Sequence, residues 1–376
     1  MKPETETALA AMIKGADAPV RIVGGGTRPI GAVSGQVLST TGLSGISLYE
    51  PGALTIVAGA GTPLSTLNEA LAEGNQRLAF EPMDHRGLLG TTGEPTIGGV
   101  VAANVSGPRR IQAGACRDAL LGVRFVDGSG RVLKNGGRVM KNVTGYDLVK
   151  LMAGSWGTLG VLTEVSLKVL PVPEAVGVVL IEGLSDRDAV RALSMALGSP
   201  FDVTGAAHTP RGIDGAPVTM IRIEGFADSV AYRAEQQQSL LAEFGPSTVE
   251  TDPARTSAGW KWIRDVEAFH GQPGDVWRFS VKPSDGPELT ERLAQQWPEA
   301  QVLYDWGGGL VWALLPEGAD ARAPGLHGHA TLIRASAETF ARVPAFHPEP
   351  APLAAISAGL RAKFDPNGIL NPGMMG

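Results

Sequence analysis

The sequence has one cysteine, Cys116, among 376 residues, so it holds no internal disulfide and suits a reducing compartment. It has no long basic stripe. Lys and Arg total 32 against 38 Asp and Glu, a net charge of −6 with a pI near 5.6, which argues against nucleic acid as the main partner. No apolar run approaches the length of a membrane span. Met1 to Lys14 carries Glu4 and Glu6 ahead of a short amphipathic stretch, without the charged start and continuous apolar core of a secretory leader. The expected location is the cytoplasm, with membrane contact only through a partner. No Gly-Lys dipeptide occurs, which removes the lysine by which a Walker loop reaches terminal phosphates. No segment completes G-x-G-x-x-G either. After Gly24 to Gly26 the third position is Pro29 or Ile30, and after Gly59-Ala60-Gly61 it is Leu64, so a ligand other than NAD or ATP is implied. Internal repeats and extended low-complexity tracts are absent as well.

What is abundant is glycine. Fifty residues of 376 is about twice ordinary usage, without a G-X-Y period and interleaved with apolar runs such as Val20 to Val23. Two runs stand out, Gly24-Gly25-Gly26-Thr27 and Gly93-Glu94-Pro95-Thr96-Ile97-Gly98-Gly99. Glycine adopts positive φ without penalty and carries no Cβ, so such loops let consecutive backbone N–H groups converge on an anion. A diphosphate-bearing cofactor is the expected guest.

The length favours two domains. Thr5 to Lys14 reads as a helix, Val20 to Val23 as a strand ending in the first glycine loop, Leu54 to Ala58 as a strand, and Pro63 to Glu73 as a helix with proline near its start. Ile97 to Val105 fits a short helix whose N-terminus would add free N–H groups to an anion site. Ala119 to Val126 and Arg131 to Leu133 read as a hairpin, Asp147 to Met152 as a helix, and Leu159 to Leu170 as a strand. Pro171-Val172-Pro173 marks a boundary. Beyond it, strands and helices alternate over Gly177 to Glu182, Asp186 to Leu197, Val218 to Gly225, Ser229 to Phe244, Thr256 to Phe269, Val276 to Val281, Pro287 to Trp297 and Gly309 to Leu315, implying one sheet covered by helices on one face. A proline-rich loop, Pro344 to Pro352, precedes a last helix, Leu353 to Phe364.

Five segments then occur in order: Val23-Gly24-Gly25-Gly26-Thr27, Pro95-Thr96-Ile97-Gly98-Gly99, Lys141-Asn142-Val143-Thr144-Gly145-Tyr146-Asp147-Leu148, Gly154-Ser155-Trp156-Gly157-Thr158-Leu159-Gly160-Val161-Leu162-Thr163-Glu164, and Asp365-Pro366-Asn367-Gly368-Ile369-Leu370-Asn371-Pro372-Gly373. Together they resemble the FAD-binding domain of the vanillyl-alcohol oxidase and p-cresol methylhydroxylase (PCMH) family. Ser106-Gly107-Pro108-Arg109-Arg110 and the short second half are most similar to the smaller flavin subunits of bacterial glycolate oxidase complexes. The resemblance implies an α+β fold: a PCMH-type FAD-binding domain at 1–171, a smaller α+β cap domain at 172–348, and a C-terminal helix and tail at 349–376 packing back on the first domain. It implies FAD held by Val23, Gly24, Gly25, Gly26, Thr27 and Arg28 on one side and by Gly93, Pro95, Thr96, Gly98, Gly99 and Asn104 on the other, with Gly160, Val161 and Thr163 meeting adenine. Relatives that attach flavin covalently use histidine or cysteine where this chain has Thr27 or Arg28, and Glu94, so non-covalent FAD is expected. The implied partners are a larger, related flavin subunit and an iron–sulfur subunit, and the implied substrate is a small 2-hydroxy acid.

No residue is assigned a catalytic role. Full-length 2-hydroxy-acid dehydrogenases of this family carry a His-x-Gly-Asp-Gly-Asn-x-His segment that this chain lacks; His327-Gly328-His329 is a poor substitute, and no metal site is expected. Arg109 and Arg110 stand evenly between a solvated pair and a fork for a substrate carboxylate. Tyr146 stands between a place near the cofactor, which its motif implies, and packing at a helix start with its hydroxyl satisfied; Cys116 reads as a packing residue, and Gly154-Ser155-Trp156-Gly157 misses G-x-S-x-G by one residue. The expected activity is FAD-dependent oxidation of glycolate to glyoxylate within a complex, this chain binding FAD and passing electrons. The alternatives are a self-sufficient 2-hydroxy-acid dehydrogenase and a structural FAD-bound assembly subunit.

Overall fold

The computed structural model describes residues 1–139, 145–322 and 327–375; Lys141 to Thr144, within one of the quoted motifs, lie outside the described residues. Helix α1 (Glu6–Lys14) begins where Thr5 Oγ1 accepts a hydrogen bond from the Ala8 N–H at 3.1 Å, and it buries Leu9 and Ile13 one turn apart. Strands β1 (Val20–Val23) and β2 (Gln36–Ser39) pair in parallel beneath it. Strands β3 (Ile46–Glu50) and β4 (Thr55–Gly59) follow, then α2 (Leu64–Glu73), β5 (Gln76–Arg77), and the short helices α3 (Arg86–Leu89), α4 (Ile97–Ala102), α5 (Arg110–Ala113) and α6 (Cys116–Ala119). Helix α4 stops short of the expected Val105 because Asn104 sits at φ +49°, a left-handed conformation that ends a helix. Strands β6 (Leu120–Val126) and β7 (Val132–Gly136), helix α7 (Leu148–Met152) and strand β8 (Val161–Lys168) complete a five-stranded sheet of order β3-β4-β8-β6-β7. The expected hairpin is β6 and β7, with Asp127 accepting from the Ser129 and Arg131 N–H groups in the turn.

Strand β9 (Leu170–Pro171) pairs with β5, and β10 (Ala175–Glu182) enters a second, antiparallel sheet. Its other members are β11 (Val203–Thr209), β12 (Val218–Gly225), β13 (Ser247–Glu250), β14 (Asp275–Val281), β15 (Gln301–Asp305), β16 (Leu310–Leu315) and β17 (Gly328–Arg334), in the order β13-β10-β12-β11-β15-β16-β14-β17. Helices α8 (Asp186–Leu197), α9 (Ala227–Leu240), α10 (Pro253–Arg264) and α11 (Gly286–Gln296) connect them. Period-two alternation divides the sheet's side chains between two cores. Val179, Ile181, Ile221 and Ile223 pack with Leu193 of α8 and Val230 of α9, whereas Val178, Met220, Leu303, Trp312 and Leu314 point toward the first sheet. The helices do not all share one face, as the sequence reading has it. Trp260 and Ile263 of α10 belong to the core on the side of the first sheet. Helix α10 also ends at Arg264 rather than Phe269, since Val266 lies at φ +54°. The second sheet thus lies over the first half of the chain, and one core runs from Ile56 and Val100 to Trp312 and Ile333.

After α12 (Ala337–Arg342) and α13 (Ala351–Phe364) the tail returns to the start of the chain. The Val20 N–H donates to Ile369 O at 2.8 Å and the Asn371 N–H to Val20 O at 3.0 Å.

A candidate cofactor cleft at the glycine loops

The two glycine runs touch backbone to backbone. A Cβ at Gly25 would stand 1.6 Å from Glu94 O, and one at Gly93 would stand 1.7 Å from Gly25 O; only glycine permits that crossing. Gly24 is pressed against Thr96 Oγ1, and Gly98 against Ala60. Between them opens a cleft of about 1020 Å³, its open mouth included, bounded by Arg21 to Gly31, Val33, Thr40, Ala60, Thr96, Gly98, Gly99, Ala102, Ala103, Trp156, Gly157, Gly160, Leu162, Asn371 and Met374.

Four consecutive N–H groups in this wall, those of Gly25, Gly26, Thr27 and Arg28, donate to no acceptor among the described residues. Such a run of unused donors matches the oxygens of a diphosphate. The expectation that the α4 N-terminus adds further free donors is corrected. The Ile97, Gly98 and Gly99 N–H groups are taken by Thr62 O, Ala60 O and Thr96 Oγ1, because the loop before α4 is stitched into the neighbouring turn.

Of the fifteen residues proposed from sequence, Val23, Gly24, Gly25, Gly26, Thr27, Arg28, Thr96, Gly98, Gly99 and Gly160 line the cleft. The other five stand behind it. Gly93 abuts Gly25, and Pro95 O accepts the Leu64 N–H at 2.8 Å. Asn104 Oδ1 accepts the Arg117 N–H at 2.9 Å, Val161 is sealed in the core beside α1, and Thr163 donates its hydroxyl to Glu6 Oε1 at 2.6 Å. Several lining residues escaped the sequence reading although they lie in quoted motifs. Asn371 is the most informative: its Oδ1 accepts the Ile22 N–H at 2.7 Å and its Nδ2 donates to Trp156 O at 2.7 Å, so the tail braces both walls.

Arg28 leads from the cleft toward the second sheet. Its Nη1 donates to Gly99 O at 2.8 Å and its Nε to His85 Nδ1 at 3.4 Å. Burial lowers the Arg28 guanidinium to about 10. Burial, and then the Arg28 charge, hold His85 well below the usual imidazole range, so it is neutral near pH 7. Beyond His85 lies Arg278 of β14, whose charge also depresses that imidazole. None of His85, Arg278, Asp305, Trp306 or Trp312 carries a motif; only strand pairing assembles them.

Arg109, an even choice from sequence, is committed elsewhere. Its Nε and Nη2 each lie 2.8 Å from a Glu224 carboxylate oxygen, and its Nη1 lies 3.1 Å from Glu81. Arg77 reaches Glu224 at 2.8 Å, and Arg222 reaches Glu81 at 3.0 Å. This buried cluster ties β12 to the first half of the chain. His329 is exposed and meets His347 edge-on at 5.7 Å. Among the described residues no three His, Cys, Asp or Glu side chains gather as metal ligands. Burial pushes the Cys116 thiol up, away from thiolate chemistry, and Tyr146 is 89% exposed rather than packed.

Comparison with known proteins accords with this geometry. The profile of an FAD binding domain matches residues 1–136. The chain is 36% identical to "Glycolate oxidase subunit GlcE" of Escherichia coli (strain K12) over 350 residues, covering 91% of this chain and 88% of that protein. It is 32% identical to "Glycolate oxidase subunit GlcD" of Bacillus subtilis (strain 168) over 165 residues, 43% of this chain and 34% of that one. Among solved structures, 4-ethylphenol oxidase from Gulosibacter chungangensis superposes with a TM-score of 0.73 at 13% identity, covering 100% of this chain and 88% of the other. An alkyldihydroxyacetonephosphate synthase gives 0.72 at 17%, covering 99% and 76%. The fold is therefore the α+β PCMH type, and its cofactor is FAD. With nearly the whole length aligned and the donor-lined cleft in the matched domain, the chain belongs to the family of the glycolate oxidase subunit GlcE.

Proposed function

We propose that this chain is the FAD-binding subunit of a glycolate oxidase, holding FAD without a covalent bond and passing electrons within a complex that oxidises glycolate to glyoxylate. The observation that carries the reading is the run of four unpartnered N–H groups, Gly25 to Arg28, along a cleft that only glycine backbones could shape. The amides of Gly25 to Arg28 hold the diphosphate, and Thr96, Gly98, Gly99 and Gly160 complete the cradle. Gly93, Pro95, Asn104, Val161 and Thr163 support it from behind. When bound, the flavin supplies a two-electron acceptor. Thr27, Arg28 and Glu94 offer neither the imidazole nor the thiol by which covalent relatives attach flavin, which supports non-covalent attachment. Functionally the chain divides at 171 and 348 into an FAD-binding domain, a cap and a returning tail.

A larger related flavin subunit and an iron–sulfur subunit are the proposed partners, and contact with the membrane runs through them. No described helix is long and apolar enough to cross a membrane. Helix α13, with no buried residue and with Leu353 and Ile356 more than half exposed, fits a chain that works beside another.

The test is anaerobic addition of glycolate to the purified chain, alone and with its larger flavin partner, while the flavin absorption band is followed. Bleaching of this chain's flavin only in the presence of the partner is the expected result. Bleaching of the isolated chain makes it a dehydrogenase in its own right, and a folded chain that retains no FAD defeats the reading.

A further inference from the structure

The segment between α12 and α13 crosses from the second sheet to the cofactor cleft. Ala345 O accepts the Leu332 N–H of β17 at 2.8 Å. The Ala345 methyl packs on Gly31, where an added Cβ would stand 3.4 Å from it, and the Phe346 ring meets Trp156 edge-on at 5.2 Å. Gly31 and Trp156, far apart in sequence, both line the cleft. Residues 344–347 therefore form a strap that presses on two parts of the cofactor site from one edge of the second sheet.

Two side chains hold the strap. Arg322 Nη1 donates to Pro344 O at 3.0 Å and to Phe346 O at 3.1 Å, and its Nε donates to Asp320 at 3.0 Å. Its Cζ stands 5.3 Å from the Trp277 ring centroid, which keeps the guanidinium in place. His347 Nδ1 accepts the Ala330 N–H of β17 at 3.4 Å. That acceptor exists only while the imidazole is neutral, because both ring nitrogens carry protons in the cation. The charged and titratable groups facing His347 are His329 of β17 and, from the loop after β16, Arg322 and Asp320. Burial first, then His329 and Arg322, hold His347 below its ordinary 6.5; Asp320, already paired with Arg322, opposes them only in part. A histidine depressed in this way supports the held strap above its unfolded value and withdraws that support as pH falls below about 6.5.

We propose that residues 344–347 are a pH-sensitive latch on the cofactor cleft: neutral His347 ties the strap to β17 through Ala330, and its protonation loosens the strap and speeds the release of FAD. Acidification removes the acceptor and sets a second cation beside Arg322. The latch rests on the FAD reading of the cleft and adds regulation to it.

The experiment uses the full chain and follows the rate of FAD loss by flavin fluorescence at about pH 7.5 and about pH 5.5. Hydrogen exchange at the Ala330 and Leu332 amides is a second readout that needs no FAD. Loss from the wild-type chain is expected to speed up about fivefold on acidification. His347→Gln, which keeps an acceptor but does not titrate, should change less than about twofold. His347 is half-buried in a loop, so its replacement leaves the cores intact. At the acid pH both amides should exchange faster in the wild-type chain than in His347→Gln, and at the higher pH equally. Phe346→Ala should speed FAD loss at both pH values. An equal acid response in wild type and His347→Gln, or none in either, overturns the latch, and so does a Phe346→Ala chain that holds FAD as long as wild type. A wild-type chain that retains no FAD sinks the cofactor reading; the moving strap then survives if acid exchange is faster in wild type than in His347→Gln, and fails if the two are equal.

Discussion

At the scale of single residues, the cleft depends on glycines that are not interchangeable. Gly25 has no room for a Cβ, with Glu94 O in the way, whereas Gly26 has nothing within 4 Å and is constrained only by its φ of +72°. Gly25→Ala must therefore displace the second loop, and it is expected to lower retained FAD at least about tenfold, since ~1.4 kcal/mol of misplacement suffices. Gly26→Ala should cost about 1–2 kcal/mol of stability and keep most of its FAD; flavin absorbance and thermal melting of the two variants check the contrast. The difference explains why the glycine loops were legible in the sequence. Each glycine answers a local demand, and the demand leaves a run of identical letters. Arg278, Asp305 and Trp306 leave no such trace. They are ordinary strand and turn residues until β14, β15 and β16 pair.

At the scale of elements, a buried ion-pair cluster on β12 helps fasten the second sheet to the first half of the chain. Glu224 of β12 accepts from Arg77 and Arg109, and Glu81, at the end of the segment after β5, accepts from Arg222. Burial on its own raises both carboxyls, but the arginines outweigh it and hold each below its ordinary 4.5. A depressed carboxyl pKa stabilises the fold above the unfolded value and is lost as pH falls through the folded value. Stability should therefore decline on acidification below about pH 4.5. Glu224→Gln, which strands buried arginines, should lose about 3 kcal/mol at neutral pH and show a flatter acid limb, as urea unfolding at several pH values would reveal. Strand legibility followed burial. The strands with a polar face or a clear apolar run, such as β10 and β12, were read; β11 was missed because its seven residues are buried on both sides yet built of small and polar types, Val-Thr-Gly-Ala-Ala-His-Thr. The proline pair at 171 and 173 was visible because the chain changes sheets there.

For the whole molecule, the central core matters most, because it is shared. Ile56, Val100 and Val165 of the first half pack in the same cluster as Leu303, Trp312 and Ile333 of the second sheet. Melting should consequently proceed as one transition rather than two. FAD binding only the folded chain should raise that transition, adding about 2.7 kcal/mol at a ligand concentration 100 times Kd. Differential scanning calorimetry with and without added FAD tests both statements, and two resolved transitions would contradict the first.

The brace at Asn371 ties this architecture to the order in which the chain is made. Ile22 and Trp156, which Asn371 joins, are separated from it by some 350 and 215 residues, and the strand contact between Val20 and Leu370 is equally remote. A ribosome releases the glycine loops early and this asparagine some 350 residues later. The nascent chain therefore cannot close its cradle until Asn371 has been made, and a product stopped before Asn371 emerges with the cleft unbraced. Capture of the yellow cofactor becomes, in effect, a proofreading signal that translation ran past that codon.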